Sequence, residues 1–203
     1  VIFGIDGKGI VTATRDGRPL ERMYRGRNTD GGPLNSNSVY DICVDRWGNL
    51  WIGNYTGGVD VIFPASGLVE FIRPSDNTPE SLPDAKVNDV LQSKDGHLWF
   101  ATDNGVSECG SGRRWRHILP GEVVLTLTED ADGNILAGTY GTGVYRIRRE
   151  KNLSATPLYN MASGTLATDY VYSLLRDSEG NLWIGCLNGP VVRIGSNGKR
   201  DTY

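Results

Sequence analysis

A segment of fifteen residues occurs four times along this chain, and this repetition constrains the fold more than any other feature. The copies begin at Val39, Val87, Val124 and Val171 and end at Gly53, Ala101, Gly138 and Gly185. The glycines at their tenth positions, Gly48, Gly96, Gly133 and Gly180, are 48, 37 and 47 positions apart. A fifth, incomplete copy starts at Gly4, where GIDGKGIV follows the pattern found after Gly53. Self-similarity at this period, in units that resemble strands, indicates a propeller or a related repeat array.

Each copy is typical of a β-hairpin. Its first half is rich in branched apolar residues such as Val39 and Ile42, which favour a strand. Three copies then have an acid three residues before the glycine, and the second copy has a serine; these residues are Asp45, Ser93, Asp130 and Asp177. Such side chains accept hydrogen bonds from turn amides, and the glycine adopts the positive φ of a tight turn. The pattern therefore predicts a turn at the centre of each copy.

The second half of each copy is an unbroken apolar run. It contains Trp51, Trp99 or Trp183, and the third copy has Leu136 at the same position. A short apolar run without alternation favours a strand that is buried on both faces. The inner strands of a propeller blade meet this condition, because each blade lies between two neighbours. We therefore expect the tryptophans to pack between blades rather than to stack on a ligand.

These units predict an all-β fold, a single β-propeller region over residues 1–203 built from four-stranded antiparallel blades. The repeats span approximately residues 1–33 (partial), 34–82, 83–119, 120–165 and 166–203. About four and a half to five blades are expected, with the inner strand missing from the first. They form either an arc of a larger ring, which seven blades would complete over on the order of 300 residues, or a five-bladed ring with one incomplete blade. The arc is favoured. Because the chain starts at Val1, inside a repeat and without Met, we expect a longer parent chain.

The composition is typical of a globular protein in water, with 38% apolar residues, 22% charged residues and a formal net charge of −3. This balance disfavours nucleic acid or an anionic membrane as a partner. No apolar run approaches the roughly 20 residues of a membrane span, so we expect no membrane contact by this segment.

The residues that most often carry chemistry form no catalytic or metal pattern. Cys43, Cys109 and Cys186 belong to three different repeats, and an odd, widely spaced set disfavours both a disulfide framework and a metal site. His97 replaces a turn asparagine and His117 falls on an outer strand, and neither has a nucleophile as an evident partner. The recurrence of Asp45, Asp130 and Asp177 at one position indicates a requirement of the fold. We therefore predict no catalytic residue, no metal and no cofactor.

A ligand site is expected in the loops where the copies differ. In a propeller, the connections between second and third strands and those between blades lie on one face, near the mouth of the central channel. The residues between blades include Lys86 and Tyr170. Tyrosine, asparagine and aspartate suit a sugar, because they offer ring faces together with hydrogen-bond donors and acceptors. The predicted ligand-binding residues are Tyr40, Asn54, Tyr55, Asn88, Asp103, Tyr140, Tyr172 and Asn188. The alternative is that they are ordinary turn residues.

The segment Val171–Gly185, VYSLLRDSEGNLWIG, closely resembles the two-component regulator propeller repeat. The resemblance covers almost the whole chain and is weakest at Val124–Gly138. It implies a non-catalytic, periplasmic sensor module of a Bacteroides-type hybrid two-component receptor, with an oligosaccharide as its ligand. The implied partners are the remainder of the receptor chain, which would carry the histidine kinase, and a second copy in a homodimer. The repeat motif is itself structural, so no ligand-binding residue is transferred from it.

Two other functions stay open at this point. Streptogramin-lyase-like propellers also have a G-N-x-W turn and would make the protein an enzyme, but they need a catalytic histidine and an acid on the channel face. The sequence offers no convincing candidate for that pair. A protein-interaction scaffold is the second alternative, because propellers carry many functions on one fold.

Overall fold

The computed structural model is a series of five antiparallel sheets that follow one another along the chain. It describes residues 1–24, 32–75 and 81–203. The first sheet has three strands among these residues, and each of the other four has four strands in sequential order. The predicted all-β propeller of four-stranded blades is therefore confirmed, including the incomplete first blade.

The first blade contains β1 (Ile2–Ile5), β2 (Gly9–Ala13) and β3 (Pro19–Tyr24). The strands of the second and third blades are β4 (Val39–Val44), β5 (Leu50–Asn54), β6 (Val59–Phe63), β7 (Leu68–Ile72), β8 (Val87–Gln92), β9 (Leu98–Thr102), β10 (Gly105–Cys109) and β11 (Trp115–Ile118). Those of the fourth and fifth blades are β12 (Val124–Glu129), β13 (Ile135–Thr139), β14 (Val144–Arg149), β15 (Leu153–Tyr159), β16 (Val171–Arg176), β17 (Leu182–Cys186), β18 (Val192–Ile194) and β19 (Arg200–Thr202). One short 3₁₀ helix, Ser111–Arg113, joins β10 to β11.

Each repeated segment forms the first hairpin of a blade, and successive first strands pack side by side. Strand β4 contacts β8, β8 contacts β12, and β12 contacts β16. In the second to fifth blades the first strand is therefore the inner strand. The repeat boundaries that we assigned from the sequence stay a prediction, and part of the expected polar connector from Arg73 to Leu82 lies outside the described residues.

The hydrophobic core lies between the blades. Trp51 of the second blade belongs to a buried cluster with Val90 and Phe100 of the third, and the Trp51 and Phe100 ring centroids are 6.0 Å apart. Trp99 of the third blade lies in a cluster with Leu127 of the fourth. These contacts show that Trp51 and Trp99 pack between blades, whereas Trp183 is half-buried and its ring stacks on Tyr203 of its own blade.

The repeated acid closes the central turn and also fixes the tryptophan. One Asp45 carboxylate oxygen accepts hydrogen bonds from the backbone amides of Trp47 and Asn49, at 2.9 and 2.8 Å. The other oxygen accepts hydrogen bonds from the side-chain Nδ2 of Asn49 and from Trp51 Nε1, both at 2.9 Å. Burial opposes ionisation of this carboxyl, but these four bonds outweigh it and lower the pKa of Asp45. The turn glycine Gly48 has a φ of 83°, as predicted.

The other copies vary this arrangement. Asp177 repeats it and accepts from Trp183 Nε1 at 2.8 Å, and hydrogen bonds from Trp183 and Asn181 lower the pKa of Asp177 to about 2. Ser93 Oγ accepts from Trp99 Nε1 at 3.2 Å. In the fourth blade, where the tryptophan is missing, Asp130 pairs with Arg146 at 3.1 Å instead. The acid is therefore a structural residue, as its recurrence indicated.

The first and last residues of the repeated segments meet across neighbouring blades. A Cβ atom added to Gly4 would lie 2.6 Å from Val39 Cγ1, and one added to Gly138 would lie 2.7 Å from Val171 Cγ1. At Gly53 the same addition would lie 3.0 Å from Val87 Cγ1. These glycines allow the second strand of one blade to approach the inner strand of the next.

Replacing Gly138 with alanine is expected to destabilise the fold, because the new methyl group would also lie 2.7 Å from Thr126 Cγ2. Overpacking of this kind costs about 1–3 kcal/mol. Gly53→Ala is the matched control, since the third blade already has Ala101 at the corresponding position. Urea unfolding should show a clearly larger loss of stability for Gly138→Ala than for Gly53→Ala. Equal losses would contradict the proposed close approach at Gly138.

Apolar residues on the outward face of the fifth blade are exposed. Leu175 has the position that Cys43 and Leu91 have in earlier blades, where these residues pack against the core shared with the next blade. In the fifth blade Leu175 is 62% exposed. The choice between an arc of a larger ring and a five-bladed ring stays a prediction.

Two further findings concern cysteines and membranes. All three cysteines are free thiols, and burial raises the pKa of Cys109 to about 11, which makes this thiol unreactive. Within residues 1–24, 32–75 and 81–203, no helix has the length and apolar character needed to cross a membrane.

Candidate ligand-binding face

The loops between the second and third strands are hydrogen-bonded to the connections that lead into the inner strands. Tyr55 N donates to Ser38 O at 3.0 Å, and Leu187 N donates to Tyr170 O at 2.9 Å. The fourth blade makes the same contact from Tyr140 N to Val123 O, at 2.9 Å. Both sets of loops therefore lie on one face of the array, as the sequence predicted.

A β-bulge in each inner strand shapes this face. The pairing of the first and second strands shifts register by one residue at Tyr40, Asn88, Leu125 and Tyr172 in the second to fifth blades. A bulge leaves one residue unpaired, bends the strand and redirects the side chain of that residue. Three of the eight predicted ligand-binding residues are therefore the bulged residues of their blades.

The first group of side chains on this face, the Tyr55 cluster, consists of Tyr40, Tyr55, Lys86, Asn88 and Asp103. The ring centroids of the two tyrosines are 5.0 Å apart, and Lys86 Nζ lies 5.2 Å from the centroid of the Tyr55 ring. Lys86 Nζ also forms a 2.8 Å ion pair with Asp103 Oδ2. Asn88 Nδ2 donates to Asp103 Oδ1 at 3.0 Å. The cluster therefore joins the second blade to the third by a continuous chain of contacts.

The protonation states in this cluster suit the binding of a neutral polar ligand. Partial burial, with the nearby Tyr55, raises the pKa of Tyr40, so this phenol keeps its proton and can donate a hydrogen bond. The hydrogen bond and charge of Asp103 raise the pKa of Lys86, which stays an ammonium group. The charge of Lys86 is balanced by Asp103. The surface therefore presents ring faces and hydrogen-bonding groups without excess charge.

The second group, the Tyr140 cluster, consists of Tyr140, Tyr170 and Tyr172. The Tyr140 ring centroid lies 4.8 Å from that of Tyr170 and 6.2 Å from that of Tyr172, in edge-to-face arrangements. All three side chains are between 42% and 51% exposed. Tyr140 is in the fourth blade, and the other two residues lead into or begin the fifth. This cluster also spans two neighbouring blades.

Two predicted residues do not join these clusters. Asn54 is fully buried, and its Nδ2 donates to Gly58 O at 3.2 Å within its own loop. Thr102 and Thr139 make the corresponding bonds to Gly105 O and Gly143 O, at 2.9 and 2.8 Å. The side chain of Asn54 therefore supports its loop and does not reach the ligand-binding face, which corrects our expectation. Asn188 is exposed in the fifth-blade loop with a φ of 53°, apart from either cluster.

Polar residues on the inner strands connect the blades below this face. Asp41 Oδ2 accepts from Val90 N at 2.9 Å, and Asp89 Oδ2 accepts from Leu127 N at 2.7 Å. Burial and the adjacent Asp41 carboxyl raise the pKa of Asp89 to about 7. Sequence reasoning missed these residues. Each accepting side chain belongs to one blade and each donating amide to the next.

Both histidines of the chain lie away from the tyrosine clusters. His97 is in the β8–β9 turn at the opposite end of its blade, where its Nδ1 is 2.7 Å from Glu108 Oε1. His117 is on the outer strand β11, with its Nδ1 2.9 Å from Ser107 Oγ. Among the residues that the structure describes, no group of three or more histidine, cysteine or acidic side chains is placed to hold a metal ion.

Comparison with known proteins agrees with the repeat pattern. The model of the family "Two component regulator propeller" matches residues 33–56, 81–104, 118–141 and 165–188. Each match covers the first hairpin of one blade and the connection that precedes it. No curated protein is similar enough to the chain to count as a match.

Solved structures with the same fold include bacterial extracellular domains and an enzyme. The extracellular domain of BT3049 from B. thetaiotaomicron, described as a hybrid two component system, aligns with a TM-score of 0.78 at 20% identity, over 99% of this chain and 26% of its own. That of BT4673 from the same organism, described as a one component system, aligns with a TM-score of 0.73 at 19% identity, over 92% and 25%. Virginiamycin B lyase from Staphylococcus aureus aligns with a TM-score of 0.63 at 22% identity, over 81% and 55%. The chain spans about a quarter of the length of the two extracellular domains.

Proposed function

Because four segments of this chain match the two component regulator propeller repeat, we propose that it is a non-catalytic sensor module in the extracytoplasmic region of a two-component receptor. The fold shared with extracellular domains from B. thetaiotaomicron supports this proposal. We further propose a periplasmic location, which the extracellular position of those domains supports. The remainder of such a receptor would carry the signal onward.

We propose an oligosaccharide as the ligand, bound at the face that holds the Tyr55 and Tyr140 clusters. The observation that carries this proposal is the grouping of five half-exposed tyrosines on one face: Tyr40, Tyr55, Tyr140, Tyr170 and Tyr172. Tyrosine rings supply apolar area for a sugar face, and their hydroxyl groups remain available for hydrogen bonds. The neutral balance between Lys86 and Asp103 favours an uncharged ligand at this face.

The position of the clusters indicates how binding can be transmitted. Each cluster spans two blades, and Asn88 of the third blade also donates to Val124 O of the fourth at 2.8 Å. A ligand that contacts a cluster therefore contacts more than one blade. Binding that is tighter in one blade packing than in another shifts the population toward that packing.

The enzyme alternative has its support in the fold shared with virginiamycin B lyase. A lyase of that kind would need a histidine on the channel face. His97 and His117 both lie elsewhere, and each is bonded to a neighbour within its own blade. The geometry therefore favours binding without turnover.

Thermal shift and calorimetry of the whole chain against a panel of neutral oligosaccharides test this proposal. We expect at least one glycan to raise the melting temperature, and Tyr55→Ala together with Tyr140→Ala to weaken its binding by about tenfold or more, the equivalent of about 1.4 kcal/mol. Trp47→Ala is the control, because Trp47 is also an exposed aromatic residue but lies in the turn at the opposite end of its blade.

Weakening by Trp47→Ala to the same degree would contradict a site at the tyrosine face. The absence of binding by every glycan in the panel would favour the scaffold alternative. Turnover of a glycan or a lactone that is lost in His97→Ala or His117→Ala would favour an enzyme.

A further inference from the structure

A large pocket lies between the third and fourth blades, at the end opposite the tyrosine clusters. It has a volume of about 840 Å³, and the side chains that line it include His97, Glu108, Arg114, Trp115, Arg116 and Lys151. The third blade supplies five of these residues, and Lys151 comes from the loop between β14 and β15 of the fourth. The proposed sensor function makes no use of this pocket.

The acid in the pocket is already neutralised by its neighbours. Glu108 is 1% exposed, and its carboxylate accepts hydrogen bonds from the Arg116 guanidinium and from His97 Nδ1. Arg149 Nη2 of the fourth blade lies 3.7 Å from the same carboxylate. Burial opposes ionisation, but the bonds from Arg116 and His97 outweigh it and lower the pKa of Glu108. Glu108 therefore stays ionised and holds the cations around it in place.

Two other cations of the pocket have no counter-ion. Arg114 and Lys151 are exposed, and neither forms an ion pair within the part of the chain that the structure describes. Arg114, Arg116 and Lys151 together exceed the single charge of Glu108, so the lining is positive although the whole chain carries −3. A concave site with one sign of charge concentrates ligands of the opposite sign.

Trp115 borders the pocket, but its side chain packs against the core cluster shared with the second blade. Trp115 is half-buried, and its ring stacks on Phe100 with a centroid distance of 5.6 Å and an angle of 26° between the planes. Arg116 is also fixed across the blade boundary, because its Nη1 donates to Glu150 O at 3.2 Å. Strand β11 therefore turns the Arg116 side chain toward the fourth blade and the Trp115 ring toward the second.

We propose that this pocket binds an anionic ligand, a carboxylate or a sulfate ester carried by a small molecule. Guanidinium groups recognise both of these oxyanions through paired hydrogen bonds, and Arg114 provides one that no acid of the described chain occupies. The site is separate from the tyrosine face. The two sites differ in the charge of the ligand that they accept.

Isothermal titration calorimetry of the whole chain tests this proposal with four probes: sodium sulfate, D-glucuronate, 4-nitrophenyl sulfate and the neutral control D-glucose. We expect the acidic probes to bind and the pocket to discriminate against D-glucose.

The test variant combines Arg114→Gln with Lys151→Gln, and the charge-matched control combines Arg148→Gln with Lys94→Gln. Arg148 and Lys94 are exposed and lie outside the pocket lining. We expect at least a tenfold loss of affinity for the acidic probes in the first variant and less than a twofold loss in the second. Equal losses in the two variants, or the absence of binding by all acidic probes, would overturn the proposal. Because neutral glycans test the tyrosine face, failure here is distinguishable from failure of the proposed function.

Discussion

Replacing Trp99 with alanine is expected to lower the free energy of unfolding by about 3–5 kcal/mol, the usual cost of removing a large buried aromatic side chain. Trp99 is 0% exposed and packs in the cluster between the third and fourth blades. Its Nε1 donates to Ser93 Oγ, and the Arg149 guanidinium lies 5.4 Å from the centroid of its ring. The substitution would therefore open a cavity and leave Arg149 of the next blade without its aromatic neighbour.

Trp47→Ala is the matched control for this prediction. Trp47 belongs to the repeated segment of the second blade but is 69% exposed in the turn, so we expect a change of about 0.5 kcal/mol or less. Urea unfolding, followed by far-ultraviolet circular dichroism, measures both variants. Similar losses of stability for Trp99→Ala and Trp47→Ala would contradict the role of the tryptophan as the packing contact between blades.

Replacing Asp89 with asparagine is expected to make the protein more stable above pH 7 and to flatten its pH dependence. Burial and the Asp41 carboxyl raise the pKa of Asp89 to about 7 in the folded protein, above the ordinary value of 3.8. Between these values the folded state binds the proton more tightly than the unfolded state, so stability falls as pH rises from about 4 to about 7. Asparagine has no proton to lose, and its carbonyl oxygen can still accept from Leu127 N.

Urea unfolding at pH 5 and pH 8 measures the effect of Asp89. We expect the wild-type protein to lose about 2–3 kcal/mol more than Asp89→Asn between these two values, since only the folded state holds the Asp89 proton from pH 5 to about pH 7, and one pKa unit corresponds to about 1.4 kcal/mol. The contributions of groups that do not contact Asp89 cancel in this difference. The carboxyls with lowered pKa values, such as Asp45 and Asp177, lose their contributions only at more acidic pH. A pH dependence that is the same in both proteins would contradict the raised pKa of Asp89 beside Asp41.

Much of the blade architecture could be predicted from the sequence because the same local requirement recurs in each copy. The turn acid, the glycine with positive φ and the buried second strand are all determined by residues within six positions of one another, as in Asp45, Gly48 and Trp51. Short-range rules of this kind do not depend on the rest of the fold. The loops of the tyrosine face could be placed for the same reason.

The contacts between blades could not be predicted, because they join residues that are far apart in the sequence. Asp41 with Val90, Asp89 with Leu127, and the approach of Gly138 to Val171 all depend on how one blade lies against the next. The positive pocket likewise depends on Lys151 of one blade meeting Arg114 and Arg116 of another.

One signal for the β-bulges was nevertheless present. Val39 and Ile42 both pack in the same cluster although they are three positions apart, and a regular strand places residues on one face at spacings of two. An odd spacing between two core residues requires one extra residue in the strand. This rule identifies Tyr40, and the same spacing recurs at Val171 and Leu174 around Tyr172. The burial of Asn54, by contrast, had no such signal, because asparagine is equally suited to an exposed turn.

Hydrogen exchange of the whole chain with and without a bound neutral oligosaccharide tests the central claim most directly, because it locates the ligand. We predict slower amide exchange in the loops and bulges that hold the two tyrosine clusters, around residues 38–41, 55–58, 86–89, 139–142 and 170–173, with the glycan recovered intact. Slower exchange confined to other regions, or recovery of a cleaved glycan, would contradict a non-catalytic sensor that binds its ligand on the tyrosine face.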